Sequence, residues 1–478
     1  MPVTSIVLFR NDLRLDDHPA FAHAVARGPV LPVFLSDPRE ERGAAYQWWQ
    51  RQSLRTLETR LAALSLPLVC RRGNSLETVQ EIVEHSGADA VLWNRRYAKE
   101  QRDDDARLKD VLRERGVQAE SFAGDTLCEP WKLLRDGAPY KVFSPFWKRF
   151  LRDISVDAPF TQPQQARAAS RLPASEEPDS WGWEPKAPDW ASRFLEHWQP
   201  GEDGASARLE GFIRDNLAEY AKGRDYPAAE KVSRLSPHLA HGEISPRRIW
   251  QRLQEVAAAQ PELRKATDKF LAELGWREFS WHLLYHFPEL PHTPLRAEFA
   301  QFSWAQDDDL LRAWQHGRTG YPIVDAGMRE LWQTGYLHNR VRMIVGSFLV
   351  KDLLLPWQQG AAWFWDTLVD ACPASNNASW QWVAGCGTDA APYFRVFNPV
   401  LQAQKFDDDG HYQRRWLPEL AALPNKLLPE PWSDPGQVQA KGIKLGQDYP
   451  LPLVDHHQAR ERALAAFATI KTEPVNNT

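Results

Sequence analysis

The chain has 478 residues, 43% apolar and 25% charged, which suits a globular protein of more than one domain. Its net charge of −5 comes from 58 basic and 63 acidic residues, so composition alone does not point to nucleic acid. A DNA partner would need basic residues gathered on one face. No apolar run is long enough to span a bilayer, and residues 1–10 read as a buried strand rather than a secretory signal. Cys70, Cys128, Cys372 and Cys386 form no CxxC pair and no Cys/His cluster, which excludes a structural zinc and a disulfide framework and indicates a reducing, cytoplasmic setting.

Over residues 1–130 short apolar runs alternate with helical patterns. Strands are predicted at 5–10, 30–35, 66–70, 90–93 and 118–122, with helices at 44–63 and 75–85. This alternation implies a doubly wound, Rossmann-like α/β domain with a parallel sheet that takes ligands at the carboxyl ends of its strands. No GxGxxG or Walker motif accompanies it. Pro163, Pro173, Pro178, Pro185 and Pro188 break regular structure, so 161–190 reads as a connector crossing the surface. Beyond residue 202 helical patterns follow one another, at 205–221, 246–259, 266–286, 308–316, 323–334, 339–355 and 361–369. The chain thus divides into an α/β domain (1–130), an interdomain linker (131–201) and an all-α domain (202–478), without internal repeats.

Several motifs in the second half carry chemistry. Ser236-Pro237 and Ser245-Pro246 each place a capping hydroxyl before a proline suited to the first helical position. They mark two helix starts, and the first, with Ser233 and Arg234 beside it, would equally suit an anion. Glu273, Trp276 and Arg277 fall at i, i+3 and i+4 on one helix face. They could line a pocket for a base-like ligand or form an exposed salt bridge on an amphipathic helix. Gly275 between them costs roughly 1 kcal/mol against Ala, which points to a close approach by another group. Asn339, Arg340 and Arg342 open a helix, with Met343 one turn after Asn339; they suit phosphate or base contacts, or a solvated basic turn. Trp380 and Trp382 are two apart, so they face different environments. Most of the 22 Trp are core fillers, and the 14 His show no ligand spacing, so no metal is expected. There is no Ser/His/Asp hydrolase elbow.

Together these residues carry a resemblance. Phe9-Arg10 with Asp12-Leu13-Arg14-Leu15 form one block, and Tyr140-Lys141-Val142-Phe143-Ser144-Pro145-Phe146 a second. A third runs from Thr319-Gly320-Tyr321-Pro322-Ile323-Val324-Asp325 through His338-Asn339-Arg340 to Thr388-Asp389-Ala390-Ala391-Pro392-Tyr393. Over nearly the whole chain the sequence resembles the photolyase/cryptochrome family, and most of all its bacterial cyclobutane pyrimidine dimer photolyases of class I or class III.

The resemblance implies FAD, folded into a U in the helical domain. Tyr220, Ser233, Leu235 and Ser236 match contacts around its phosphates and ribitol; Arg277, Arg342, Asp370 and Asn376 match residues around the rest; Val232, Arg234, Phe270, Ala371 and Cys372 complete the cofactor positions. Val232 replaces a hydroxyl residue, Phe270 a Trp and Cys372 an Asp, so individual contacts differ from the family's pattern. Asn376 matches the residue facing flavin N5, where an amide favours the reduced state and repair over photosensing. Glu273, Trp276, Asn339, Met343 and Trp382 match the lesion pocket. Trp276 and Trp382 would pack on the two pyrimidines, and Glu273 would hydrogen-bond the dimer where charge develops. Arg224, Arg340, Arg395 and Gln402 match further contacts to DNA, alongside Glu273, Trp276, Arg277 and Asn339. Trp304, Trp357 and Trp380 match the chain of tryptophans that carries an electron inward to photoexcited flavin.

The implied enzyme is a carbon–carbon lyase. The dimer is flipped from the duplex, as photolyases do; light-excited reduced FAD gives it one electron, two C–C bonds break, and the electron returns. Residues 96–101 match a folate site poorly, so for an antenna methenyltetrahydrofolate comes first, with a deazaflavin or none as alternatives. The expected partner is UV-damaged DNA, bound by a monomer in the cytoplasm at the nucleoid, with no membrane and no obligate protein partner. Three other readings stand beside this one. A cryptochrome-type blue-light receptor often carries a long tail, whereas here only 472–478 looks tail-like. A (6-4) photolyase fits Glu273 and His338 to Met343 less well. An electron-transfer flavoprotein without DNA leaves Arg224, Arg340 and Arg395 unexplained.

Overall fold

Five apolar runs form the strands β1 (Ser5–Phe9), β2 (Val30–Ser36), β3 (Val69–Arg72), β4 (Ala90–Asn94) and β5 (Gln118–Phe122) of a computed structural model that describes residues 4–40, 42–389 and 394–472. They pair in parallel in the order β3-β2-β1-β4-β5. Ser5 of the central strand stands opposite Val30 on one side and Ala90 on the other. Successive side chains point to opposite faces. Val7, Phe9 and Phe34 therefore enter one core layer with Leu54, Leu57 and Leu61 of the helix Ala44–Ala63. Ile6, Leu8, Leu31 and Val33 enter the other with Val79 and Ile82 of Ser75–Ser86 and Leu108 and Leu112 of Lys99–Glu114. Both faces are covered, which is the expected doubly wound α/β arrangement.

The chain divides into two units. The first comprises Met1–Ala218, Ser233–Pro288 and Val369–Ala374; the second comprises Glu219–Val232, Glu289–Leu368 and Ser375–Thr478. Besides the sheet, the first holds the helices Phe143–Asp153, Pro246–Ala259 and Arg264–His286. The second is helical, with Pro322–Thr334, Asn339–Ser347, Trp357–Thr367, most of Pro373–Ala384, and His456–Thr472 among its elements. Its Thr319-Gly320 turn is built on one buried carboxylate: Asp325 accepts from Thr319 N at 2.7 Å, Thr319 Oγ1 at 2.6 Å, Gly320 N at 3.0 Å and Tyr449 Oη at 2.6 Å.

Several expected boundaries shift; the helix expected at 361–369, for one, begins four residues earlier, directly after Pro356, and spans Trp357–Thr367. The strand expected at 66–70 begins at Val69 because Leu66 serves the end of the preceding helix. Ser65 turns the chain at φ 58°, and Leu66 N donates to Leu61 O at 3.0 Å. The helix expected at 205–221 starts at Glu202, stops at Asp215 and gives way to the short turns Leu217–Glu219 and Tyr220–Gly223. The helix expected at 339–355 ends at Ser347 and widens into a π-turn over Phe348–Asp352, after which Leu354 reverses the chain at φ 60°. The 161–190 connector is irregular, as its prolines require, but it does not simply cross the surface. Ala168 bridges to Val30, and Trp181 and Trp183 are buried against Phe34 beneath the sheet. Among the described residues no helix is long and apolar enough to cross a membrane, and no cluster of His, Cys, Asp and Glu could hold a metal ion.

Candidate functional site

The carboxyl ends of β1 and β4 are where such a sheet takes ligands. Here they carry the chain's own charges. Asp105 accepts from Arg10 NH1 at 2.6 Å, Arg96 NH2 at 2.6 Å and Trp93 Nε1 at 3.0 Å. Burial alone would raise the Asp105 pKa, but Arg10 and Arg96 bring it down to about 2. A chromophore entering here would have to displace this network.

Elsewhere in the first unit, the segment Ser233 to Ser236 forms a tight turn. Ser233 Oγ accepts from Leu235 N at 3.3 Å, and Arg234 takes a left-handed φ of 52°. The helix Ser236–Ala240 follows, but Ser236 does not cap it. Its hydroxyl instead donates to Asp370 Oδ2 at 2.6 Å. The cap motif therefore marks the helix start correctly and assigns the hydroxyl wrongly: Leu235 holds the cap position and Ser236 is already the first helical residue, so its hydroxyl is left to donate to a carboxylate from a distant segment. Ser245 does cap, accepting from Arg248 N at 2.9 Å. The 369–371 turn is fixed from two sides: His241 Nε2 donates to Val369 O at 3.0 Å, and Arg42 NH1 donates to Ala371 O at 2.8 Å. Burial holds the His241 imidazole neutral, with its pKa far below the ordinary value. The Tyr46 ring stacks on it at 3.8 Å. Ser233, Arg234, Leu235, Ser236, Asp370, Ala371 and Cys372 are thus drawn into one region of this unit.

Arg264–His286 supplies the rest of the first unit's set. Glu273, Trp276 and Arg277 share a half-buried face. Glu273 lies 3.4 Å from Lys269, and Arg277 NH1 donates to Asp125 O at 2.7 Å. The expected alternative of a Glu273–Arg277 salt bridge gives way to these partners. Glu278 beside them accepts from Leu127 N at 2.8 Å; burial pushes its pKa up to about 7 even though Arg277 works against it. Trp276 stacks on Phe143 at 3.8 Å and 12°, and Phe143 continues to Trp147 at 6.2 Å and 12°. Gly275 is explained here: a Cβ at this position would stand 2.5 Å from the Trp147 ring. Phe270, buried, packs against Phe212 at 4.7 Å.

The second unit holds the remaining residues. His338 caps Asn339–Ser347, its Nδ1 accepting from Arg340 N at 3.2 Å. Asn339 is exposed, and Arg340, Arg342 and Met343 are half-buried. Arg342 Nε donates to Leu337 O at 2.8 Å. Asn376 Nδ2 donates to Ala361 O at 3.0 Å, which fixes the amide and leaves its second N–H and its carbonyl oxygen for other partners. Trp382 is half-buried, and its Nε1 donates to Asp389 O at 3.1 Å. Trp380, two residues earlier, is 3% exposed and packs edge-on to Phe364 at 5.0 Å. The pair does face two environments. Trp357 is 1% exposed, and Trp304 is half-buried beside Phe302 at 4.4 Å. Tyr220 is buried with Arg224 5.3 Å from its ring centre; Val232 and Gln402 are half-buried, and Arg395 is exposed. The 390–393 part of the third motif lies outside the described residues.

Sequence reasoning missed Phe143 and Trp147 as supports of Trp276, although Phe143 stands inside a quoted motif. It also missed Asp225 and Phe406, which hold Arg340, and Arg415, which pairs with Glu230. Only their distance in sequence hid them.

Comparison with known proteins defines the family. Residues 5–165 match the DNA photolyase family, and residues 270–469 match the FAD binding domain of DNA photolyase. The chain is 47% identical over 470 residues to a deoxyribodipyrimidine photo-lyase of Agrobacterium fabrum, covering 98% of each. It is 38% identical to cryptochrome-1 of Arabidopsis thaliana, over 97% of this chain and 70% of that one. Among solved structures it resembles a class III photolyase of Agrobacterium tumefaciens with a TM-score of 0.96 and 46% identity, covering 99% of this chain and 98% of that one. With an α/β sheet domain, a helical part and the FAD binding domain matched, the chain is of the flavoprotein class. The chain belongs to the photolyase/cryptochrome family and carries its FAD binding domain.

Proposed function

We propose that the chain is a deoxyribodipyrimidine photo-lyase, which binds UV-damaged DNA and splits cyclobutane pyrimidine dimers in the light with reduced FAD as cofactor. The observation that carries this reading is the pairing on one helix of a half-open aromatic plane, Trp276, with the Glu273 carboxylate one turn earlier. It occurs in a chain 47% identical to a deoxyribodipyrimidine photo-lyase.

The residues present fit FAD. Ser233 and Arg234 offer hydroxyl and guanidinium groups suited to phosphate, and Tyr220, Val232, Leu235, Ser236, Phe270, Arg277, Arg342, Asp370, Ala371 and Cys372 are assigned to the rest of the cofactor. Asn376, with its Nδ2 committed to Ala361 O, offers an acceptor to the N–H at N5 of a reduced flavin. When bound, the cofactor supplies on illumination the electron that opens the dimer, and takes it back afterwards. The chain supplies position and electrostatics. Trp276, held flat by Phe143, and Trp382, held by its bond to Asp389 O, are each assigned to pack on a pyrimidine. Glu273 hydrogen-bonds the dimer where negative charge develops, and Asn339 and Met343 complete the pocket wall. Trp380, Trp357 and Trp304 relay an electron inward from a half-buried ring to buried ones. Arg224, Arg340, Arg395 and Gln402 grip the backbone. A monomer suffices for this work, at the nucleoid of the cytoplasm.

Each phosphate neutralised releases counterions, so affinity for dimer-containing duplex should fall steeply between about 50 and about 200 mM salt. A salt-independent affinity would contradict a DNA substrate. The 38% identity to an Arabidopsis cryptochrome supports a second reading, a blue-light receptor. It predicts flavin photochemistry without dimer splitting.

A further inference from the structure

The segment Glu219–Val232 carries three carboxylates, each paired with a cation. Glu219 Oε2 lies 2.9 Å from Lys231 Nζ. Asp225 Oδ1 lies 2.8 Å from Arg340 NH2, and Glu230 Oε1 lies 2.5 Å from Arg415 NH1. The last two pairs reach outside the segment, to the first turn of Asn339–Ser347 and to His411–Trp416. Arg340 also lies over Phe406, its Cζ 4.2 Å from the ring centre. Phe406 in turn meets Tyr226 edge-on at 6.2 Å, and Tyr226 is 43% exposed. Glu230 holds its place with φ at 51°, a conformation disfavoured for any residue with a Cβ and retained where the surroundings demand it.

A guanidinium already paired with a carboxylate presents little net charge to a phosphate. DNA gains from it only if the pair opens. Here two cations, one of them assigned above to DNA, are closed by acids of a single segment that also carries Arg224.

We propose that Asp225 and Glu230 act as an electrostatic brake on DNA binding: they compete with phosphates for Arg340 and Arg415, weaken the grip on undamaged duplex and hasten release of the repaired product. The proposal rests on the reading of this protein as a DNA-repair photolyase. Its effect is largest for undamaged duplex, whose affinity is almost wholly electrostatic, and undamaged sites vastly outnumber lesions in a genome. If the acids instead only held the arginines in place, removing them would weaken binding. The two roles predict opposite signs.

The test uses the FAD-loaded full chain, with flavin absorbance and melting temperature confirming that each variant is folded. Binding of undamaged and thymine-dimer duplexes is followed across a salt series for the wild type, Asp225→Asn, Glu230→Gln and the double variant. Each freed cation should raise affinity for undamaged duplex about 5- to 10-fold near 0.1 M salt and steepen the log–log salt slope by about 0.9. The double variant should show both gains, and the two pairs are separate, so one variant still decides the matter if the other fails to fold. Unchanged or weaker binding to undamaged duplex, with an unchanged slope, would overturn the brake. Failure of the wild type to bind dimer duplex would instead overturn the DNA-repair reading, which is a separate outcome.

Discussion

At the scale of single residues, the side chains proposed for the site have, within each unit, lost their freedom to neighbours. Trp276 is held flat by Phe143, the Asn376 amide is pinned by Ala361 O, and Ser236 is tied to Asp370. Glu273 is the residue proposed to hydrogen-bond a bound dimer where charge develops. Glu273→Ala should leave FAD bound and lower repair per absorbed photon about tenfold or more, the worth of one charge-assisted hydrogen bond. Repair yield and flavin absorbance measured on the same sample check this, and an undiminished yield would remove Glu273 from its role. Residue types at helical spacing were enough to find Glu273, Trp276 and Arg277 as one face. The same spacing puts Lys269 one turn before Glu273, so that pair was legible too and was overlooked. It could not reveal that Arg277 turns to Asp125 O, 152 positions away in the chain.

At the scale of elements, close approach decides what the helices can carry. A Cβ on Gly360 would stand 2.1 Å from Trp380 and 2.6 Å from Leu349. Overpacking of this kind costs about 1–3 kcal/mol. Gly360→Ala should therefore lower the melting temperature and, by displacing Trp380, slow photoreduction of oxidised flavin, while repair by pre-reduced enzyme is spared. Stopped illumination with absorbance detection reads the first effect against the second; normal photoreduction would place Trp380 outside the electron path. Periodicity located the strands and most helices, including Ala44–Ala63 and Pro246–Ala259 to the residue. It failed where the chain spends an apolar residue on a helix stop, as at Leu66. It failed again where a helix widens without a change of pattern, as at Phe348–Asp352. The burial of Trp181 and Trp183 in a proline-rich stretch was hidden for a related reason: prolines report the absence of regular structure, not the absence of a core.

At the scale of the whole molecule, two buried carboxyls tie stability to pH. Burial pushes Glu202 up from 4.5 to about 7 despite Arg60, and does the same to Glu278 despite Arg277. Their folded pKa values exceed the unfolded ones, so the folded state binds the proton more tightly. The stability they add is full below about pH 4.5 and is lost as pH rises through about 7. Asp37 and Asp105, held down from 3.8 to about 2, lose their contribution only in stronger acid, so the two windows do not overlap. Buried His241 and His282, the latter held down at about 4, work in the opposite sense below about pH 6.5, so the test is a difference in melting profiles: relative to the wild type, Glu278→Gln should lose less stability between about pH 5 and about pH 8, by an amount on the order of 3 kcal/mol at most. An unflattened profile would mean that Glu278 is ionised throughout.

The central claim is that reduced flavin and a lesion pocket in this chain work together on DNA. The most direct measurement is to illuminate the purified, reduced protein with blue light in the presence of an oligonucleotide bearing one thymine dimer, and to quantify intact thymines against a dark control. The account predicts light-dependent restoration of both thymines, repeated over many turnovers with no net oxidation of the cofactor. Thymine dimers left unchanged while the flavin itself responds to light would contradict it.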